Sequence, residues 1–272
     1  MNGTARPAGA AMDTAAAEAF EQYLVPTIFG PWSEMLVDHA LLKCGESVLD
    51  IGCGSGPAAR YAATLVGDGG SVRAIDVDPG MIALARRLDT SGTVDWLEGD
   101  VSDMPFDANS FDAVIGGQIY QFLPDRPAAF REIHRVLKPG GRLVLNVFSR
   151  LELCPGHNAV AKALESHDVD PTGIRKPYSF GDPVVLGDVI ADGGFRDVSV
   201  IRKTLEARFD SPAAFVEALA TGGPSARHAL EQLDEEALKQ VIAEVTETLA
   251  KYVDDEGVRI LTTANFVYGR RG

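Results

Sequence analysis

Two spacings of apolar residues alternate along the first half of the chain. SVLDI (47–51), SVRAIDV (71–77), VDWLEGD (94–100), FDAVIGG (111–117) and RLVLNVF (142–148) are short and rich in apolar residues, and read as strands. Between them the spacing is helical. PAARYAATLV (57–66) opens with Pro57 in its first turn, PGMIALARRLD (79–89) follows, and PAAFREIHRVL (127–137) puts Phe130, Ile133, Val136 and Leu137 on one face. The first of these helices stops at Gly67-Asp68-Gly69-Gly70 and the third at KPGG (138–141). Strands separated by helices predict right-handed βαβ crossovers and a mostly parallel sheet covered on both faces.

The flanks follow other rules. Residues 14–42 are helical in pattern but interrupted by Pro26 and Gly30-Pro31, which predicts two or three short helices. Past residue 150 comes an irregular stretch with one short helix near 158–166, then a helix over 182–195 closed by Gly193-Gly194. Residues 195–209 and 258–271 read as long strands, an antiparallel pair at the sheet edge, with a helical stretch over 211–253 between them. Leu230, Leu233, Leu238, Val241, Ile242, Val245, Leu249 and Val253 form one apolar stripe, read as internal packing. The expected fold is α/β: a doubly wound, Rossmann-like, mostly parallel seven-stranded sheet with an antiparallel C-terminal strand pair, N-terminal helices and a helical insertion before the last strand. Residues 1–11, small and polar with a proline, are expected to be disordered. Residues 12–272 are expected to form a single domain, with a helical lid over 12–43 and the insertion over 211–253.

Charge narrows the partners. With 39 acids against 25 basic residues, the formal net charge of −14 repels phosphate backbones. The densest basic points, Arg86-Arg87 and Arg270-Arg271, are isolated pairs, so neither nucleic acid nor a membrane is expected as partner. Cys44, Cys53 and Cys154 have no C-x-x-C spacing, which argues against a zinc site or a disulfide framework and fits a reducing cytoplasm. No apolar run has the length of a membrane span, and the first twenty residues lack the compact apolar core of a secretory signal. A cytoplasmic monomer or homodimer acting on a small molecule, without a metal, is the expectation.

The chemistry concentrates at VLDIGCGSG (48–56). Glycines between a buried strand and a helix let the chain turn sharply and bring main-chain N–H groups and a helix N-terminus against a ligand. Asp76, at the end of the next strand and about twenty residues on, is placed to accept hydrogen bonds from a ribose diol, while Asp78, beside Pro79, suits a helix cap. Residues 54–59 also satisfy the relaxed dinucleotide pattern G-x-G-x-x-A, so a nicotinamide enzyme is an alternative. Against it, the loop follows an acid, Asp50, which repels a pyrophosphate but suits an amine.

Taken in order, VLDIGCGSG, AIDVDPGMI, EGDVSDMPFDANSFDAV and FLPDRPAAFREIHRVLKPGGRL resemble the class I S-adenosylmethionine-dependent methyltransferases. The likeness is greatest to the small-molecule type 11 branch around the ubiquinone/menaquinone-biosynthesis enzymes, and it runs from about Val48 to Phe148. It implies S-adenosyl-L-methionine as methyl donor and S-adenosyl-L-homocysteine as product. Carried over by position, Gly52, Cys53 and Gly54 line the methionyl and ribose part, and Asp50 supports the ammonium side. Asp76 takes the ribose hydroxyls, Val77 lies against the adenine, Asp100 accepts its exocyclic amine and the Val101 N–H meets a ring nitrogen. Gly116 or Gly117 offers a carbonyl to the methionyl amine. Asp100 as a simple turn cap is the alternative. Tyr23, Phe29 and Trp32 are lid candidates over the cofactor, with packing as the alternative.

One stretch departs from the family. Many relatives carry a histidine pair after the fourth strand, where this chain reads QIYQFLPD (118–125), so Gln118, Tyr120 and Gln121 stand where acceptor or sulfonium contacts belong. Among the histidines, His39, His134 and His228 read as structural. His157 and His167 lie in the irregular segment after the fifth strand, and His157 is the candidate general base. The expected activity is methyl transfer to a small acceptor at oxygen, carbon or nitrogen, a secondary metabolite or quinone-like compound. A nicotinamide oxidoreductase and a protein that binds S-adenosylmethionine without methylating are the alternatives.

Overall fold

A computed structural model describes residues 14–272; the expected disorder of residues 1–11 and the start of the lid lie outside the described residues. The strands are β1 (Ser47–Ile51), β2 (Ser71–Asp76), β3 (Val94–Glu98), β4 (Phe111–Gly117), β5 (Leu137–Phe148), β6 (Phe195–Phe209), β7 (Val253–Asp254) and β8 (Gly257–Arg271). They form one sheet in the order β3-β2-β1-β4-β5-β8-β6, with β7 off this path against β8. The first five strands pair in parallel, and β8 runs antiparallel to both β5 and β6. This is the expected doubly wound arrangement, with seven strands on the main path and the two residues of β7 added.

Successive residues of a strand face opposite sides, and the two cores record it. Val48 belongs to one core and Leu49 and Ile51 to the other. The first core holds the helices Gly30–His39, Pro57–Val66 and Pro79–Leu88; the second holds Arg126–Val136 and Pro183–Asp192. The crossover from β3 to β4 carries no helix. Val101, Met104 and Phe106 fill that part of the second core, and the Arg135 guanidinium holds their loop by donating to the carbonyls of Phe106 (2.6 Å) and Met104 (3.0 Å).

Chain order reverses at β1, whose neighbours β2 and β4 lead to opposite edges. A crevice at the carboxyl ends of β1 and β4 follows from that topology, and the glycine loop lies in it.

Three expectations change. The N-terminal helices are not broken at Pro26. Residues Thr14–His39 run on as one helical path through a π-helical stretch, Phe20–Phe29, which contains it. Proline lacks the N–H and crowds the carbonyl four residues back; the wider π turn absorbs this, and the Gly30 N–H reaches the Val25 carbonyl five residues back. KPGG stops the helix but also opens β5, which begins at Leu137 rather than residue 142 because Leu137 pairs with Phe111. The helix expected near 158–166 starts earlier, at Pro155, and the insertion resolves into Pro212–Gly222, Arg227–Leu230 and Glu235–Leu249 before β7. Val241, Val245 and Leu249 of its stripe are fully buried in the first core, as internal packing requires, while Val253 is exposed.

Arg142, on β5, ties the end of the N-terminal helices to the sheet. It donates to the carbonyls of Ala40 (2.6 Å) and Leu41 (3.1 Å) and grips both oxygens of Glu46. Arg142→Met is expected to cost about 2–3 kcal/mol in urea denaturation, because charge-assisted bonds are lost and acceptors are stranded. An unchanged midpoint would show that the N-terminal helices hold by apolar packing alone.

Candidate functional site

The loop after β1 is built from residues with positive φ. Gly52, Gly54 and Gly56 have φ of 62°, 55° and 85°, a region that favours glycine. Two are also closed off: a Cβ on Gly52 would stand 2.4 Å from Ile119, and one on Gly56 2.1 Å from the Trp96 ring. Gly54 instead faces open space, with nothing within 4 Å. The turn therefore presents one bare stretch of main chain outward.

The strand-tip carboxylates frame it. Asp76 accepts the Gly54 N–H (2.8 Å) on one oxygen and the Asp78 N–H (2.9 Å) on the other, so it shapes the loop directly. Each carboxylate oxygen has a second lone pair, which leaves capacity for a diol. Burial raises its pKa, against the opposing pull of the two N–H donors. Asp78 caps the following helix through the N–H groups of Gly80 (2.8 Å) and Met81 (3.2 Å), the role the sequence suggested. Asp50 is 1% exposed and its Oδ2 has no hydrogen-bond partner. Burial, then the neighbouring Asp76 charge, pushes its pKa up to about 8, although the Ala59 N–H pulls it down. Burial likewise raises the Cys53 thiol.

Two further buried oxygens around the loop lack partners: Ser55 Oγ and Glu21 Oε2. The other oxygen of Glu21 lies 3.5 Å from Arg60, which donates to the Ser55 carbonyl at 2.5 Å, so the N-terminal helices reach the loop through this pair. The sequence reading missed both residues; Ser55 stood inside the glycine motif, and no pattern marked Glu21. Buried polar atoms in a folded protein find partners, so unpartnered ones grouped at a crevice mark where a polar ligand fits.

Other positions divide. Val77 is 59% exposed and offers an apolar surface beside Asp76. Asp100 is exposed and accepts from the Ser102 N–H (2.7 Å) and hydroxyl (2.5 Å), the turn-cap geometry, while Val101 is buried. Gly116 is enclosed by Ile51 and Leu145, and Gly117 sits at the tip of β4 opposite Asn146. Tyr23 is 42% exposed on the π-helical stretch, Phe29 packs on Phe20 and Phe148, and the Trp32 indole donates to Thr262 (2.9 Å).

The acceptor side is not arranged as the sequence suggested. Gln118, at φ 56°, has its amide committed: Nε2 donates to Asn146 Oδ1 (3.2 Å) and Oε1 accepts the Phe148 N–H (2.9 Å). It fastens the tips of β4 and β5 together. Gln121 donates to that same Oε1 at 3.3 Å. Tyr120 belongs to the opposite core, against Phe130 and Phe180 and under the Arg126 guanidinium, so the structure does not bring it to His157. The physical reason is the short helical turn Tyr120–Phe122, which rotates its ring to the other face of the sheet.

His157 is buried on the helix Pro155–Ser166, between the rings of Phe148, Tyr178 and Phe215. Its Nδ1 has no partner, and burial lowers its pKa to about 4, so the ring is neutral at neutral pH. Of the others, His167 pairs with Glu244 (3.0 Å), His39 packs on Phe266 and His134 on Phe195. Among the described residues no three His, Cys, Asp or Glu side chains are grouped to hold a metal ion, and no helix is long and apolar enough to cross a membrane.

Known proteins resemble this chain in sequence and fold. The methyltransferase-domain profile fits residues 49–145, from β1 into β5. The 2-phytyl-1,4-naphtoquinone methyltransferase of Synechococcus elongatus is 37% identical over 118 residues, which are 42% of this chain and 51% of that protein. The chain thus spans about half the length of several curated relatives it matches. The enzyme of the same name from Nostoc sp. is 34% identical over 159 residues, 56% of this chain and 69% of its own length. This chain belongs to the methyltransferase family. The methyltransferase fold extends beyond the matched motifs. The phosphoethanolamine N-methyltransferase 2 of Haemonchus contortus, solved with phosphomonomethylethanolamine and S-adenosylhomocysteine, superposes with a TM-score of 0.60. At 21% identity, over 95% of this methyltransferase and 57% of that chain, that likeness carries the fold alone.

Proposed function

We propose that this methyltransferase transfers the methyl group of S-adenosylmethionine to a small organic acceptor and releases S-adenosylhomocysteine. The observation that carries the reading is Asp50, a buried carboxyl with one unpartnered oxygen beside a bare glycine turn and a second carboxylate. That donor set fits a ligand with a cation at one end and a diol at the other, and disfavours a pyrophosphate.

In this reading Asp50 meets the methionyl ammonium, Gly52, Cys53 and Gly54 lie along the methionyl and ribose part, and Gly117 rather than the enclosed Gly116 offers its carbonyl to the amine. Asp76 binds the ribose diol and Val77 covers the adenine. Asp100 and Val101 stand at the adenine edge, where Asp100 must leave part of its turn-capping role to take the exocyclic amine. Tyr23 belongs to the lid and closes over the cofactor by moving with it. When bound, S-adenosylmethionine supplies a methyl carbon on a positively charged sulfur, so the protein's main task is alignment. Gln118 positions the tips of β4 and β5. His157 receives a proton where the acceptor atom is a hydroxyl or an acidic carbon, and Tyr120 supports the loop from beneath. The naphthoquinone named for the relatives favours a quinone-like acceptor over other secondary metabolites. The cytoplasm and a monomer or homodimer complete the proposal, on the charge of −14 and the free cysteines.

S-adenosylhomocysteine at about 100 times its Kd is expected to raise the melting temperature by roughly 5–10 °C. NADH is expected to give no shift. The reverse pattern would transfer the site to the nicotinamide reading, and binding with no methylated product from a quinol panel would favour a non-methylating role.

A further inference from the structure

Tyr178 was marked by no motif, yet it has the same defect as His157. Its hydroxyl is buried with no hydrogen-bond partner. The two residues are 7% and 8% exposed, their ring centroids stand 5.6 Å apart, and both touch Phe148, whose own N–H is held by Gln118. A buried phenol and a buried imidazole that do not satisfy each other are costly in an otherwise apolar cluster, unless a third group completes them in use.

We propose that Tyr178 and His157 form a two-point site for a hydroxyl group on a flat, uncharged aromatic acceptor. The inference rests on the methyltransferase reading for why an acceptor belongs here, and it adds the chemical class and the residue that selects it.

The geometry supports each part. The phenol O–H and a neutral imidazole can each donate or accept, and a hydroxyl can do both, so one hydroxyl satisfies the pair. Flatness follows from the walls. Phe148 and Tyr178 are stacked at 5.2 Å with 22° between their planes, and Phe215 closes the far side of His157 at 5.1 Å. That stack has no room for a third ring, so entry requires the Tyr178 ring to swing outward. Space for the movement exists, because Tyr178 also lines a surface hollow of about 380 Å³ with Leu151 and Asn158. The rim, where Glu152 adds a carboxylate, disfavours an anion. Arg150 and Arg175 line the same hollow, but Arg150 is paired with Asp182 (2.5 Å) and Arg175 with Glu165 (2.8 Å), so neither cation is left to attract an anion.

The test compares 2-naphthol with naphthalene, titrated into the full chain with and without S-adenosylhomocysteine. The wild type is expected to prefer 2-naphthol by about thirtyfold, the sum of two modest hydrogen bonds. Tyr178→Phe and His157→Leu should each cut that preference by about fivefold and leave naphthalene binding intact, which controls for folding. His157→Asn, which keeps an acceptor near Nδ1, should restore part of it. A wild-type preference below about threefold, or one that Tyr178→Phe leaves undiminished, overturns the proposal. Absence of S-adenosylhomocysteine binding with the naphthol preference intact would overturn only the cofactor reading.

Discussion

Replacing Asp76 by alanine is expected to weaken S-adenosylhomocysteine binding by about 100-fold, or ~2.7 kcal/mol, measured by calorimetry. Two losses add. The diol acceptors go, and the Gly54 and Asp78 N–H groups, held at 2.8 Å and 2.9 Å, lose their partner, so the turn that presents bare main chain is no longer held. Asp76→Asn should fall between wild type and alanine, because its carbonyl oxygen still accepts, while its NH2 sets a donor against one of the two N–H groups that Asp76 holds. Should alanine bind as tightly as wild type, the glycine turn holds itself and the diol lies elsewhere.

The second large effect belongs to Asp50 and carries a pH signature. In the ligand-free protein its carboxyl titrates at about 8, against 3.8 for an ordinary aspartate. Between those values the unfolded chain has released the proton that the folded protein still holds, so Asp50 lowers stability progressively as pH rises from 4 to 8. Asp50→Asn is therefore expected to stabilise the ligand-free protein by about 3–5 kcal/mol at pH 8, with the gain shrinking to nothing near pH 4. Binding should respond in the opposite sense. A cationic ammonium favours the ionised carboxyl, so S-adenosylmethionine should release a proton on binding below pH 8, with an affinity that rises with pH and levels off above it. Asn at this position should bind about 100-fold more weakly and lose that pH dependence. Calorimetry in buffers of different ionisation heat reads the proton directly; a stabilised variant that binds as well as wild type would show that Asp50 does not meet the ammonium.

These two carboxylates illustrate what could be read in advance. Asp50 and Asp76 lie at or next to the ends of strands whose apolar period is plain, and the carboxyl ends of parallel strands open toward a crevice where the strand order reverses. Local patterns also announced β6 and β8 as a long terminal pair, since two long strand-like runs flank the last helical stretch. Where a local rule met a tertiary demand, the rule lost. Pro26 was read as a break, and packing of Leu24, Val25 and Ile28 into the first core keeps the helical path going by a π turn instead. Tyr120 was read as facing an acceptor beside Gln118, yet one short helical turn sends it beneath the sheet.

By itself the amino-acid order determined the sheet, its crossovers and the glycine turn after β1, because those depend on periodicity and on glycines within a few residues of one another. The tertiary structure alone decided that Asp50 retains a proton to about pH 8, that Glu21 reaches Arg60, and that Tyr178 meets His157. Burial and contact between residues far apart in the chain set proton affinity and unmet hydrogen-bond capacity, and no spacing along the chain encodes either.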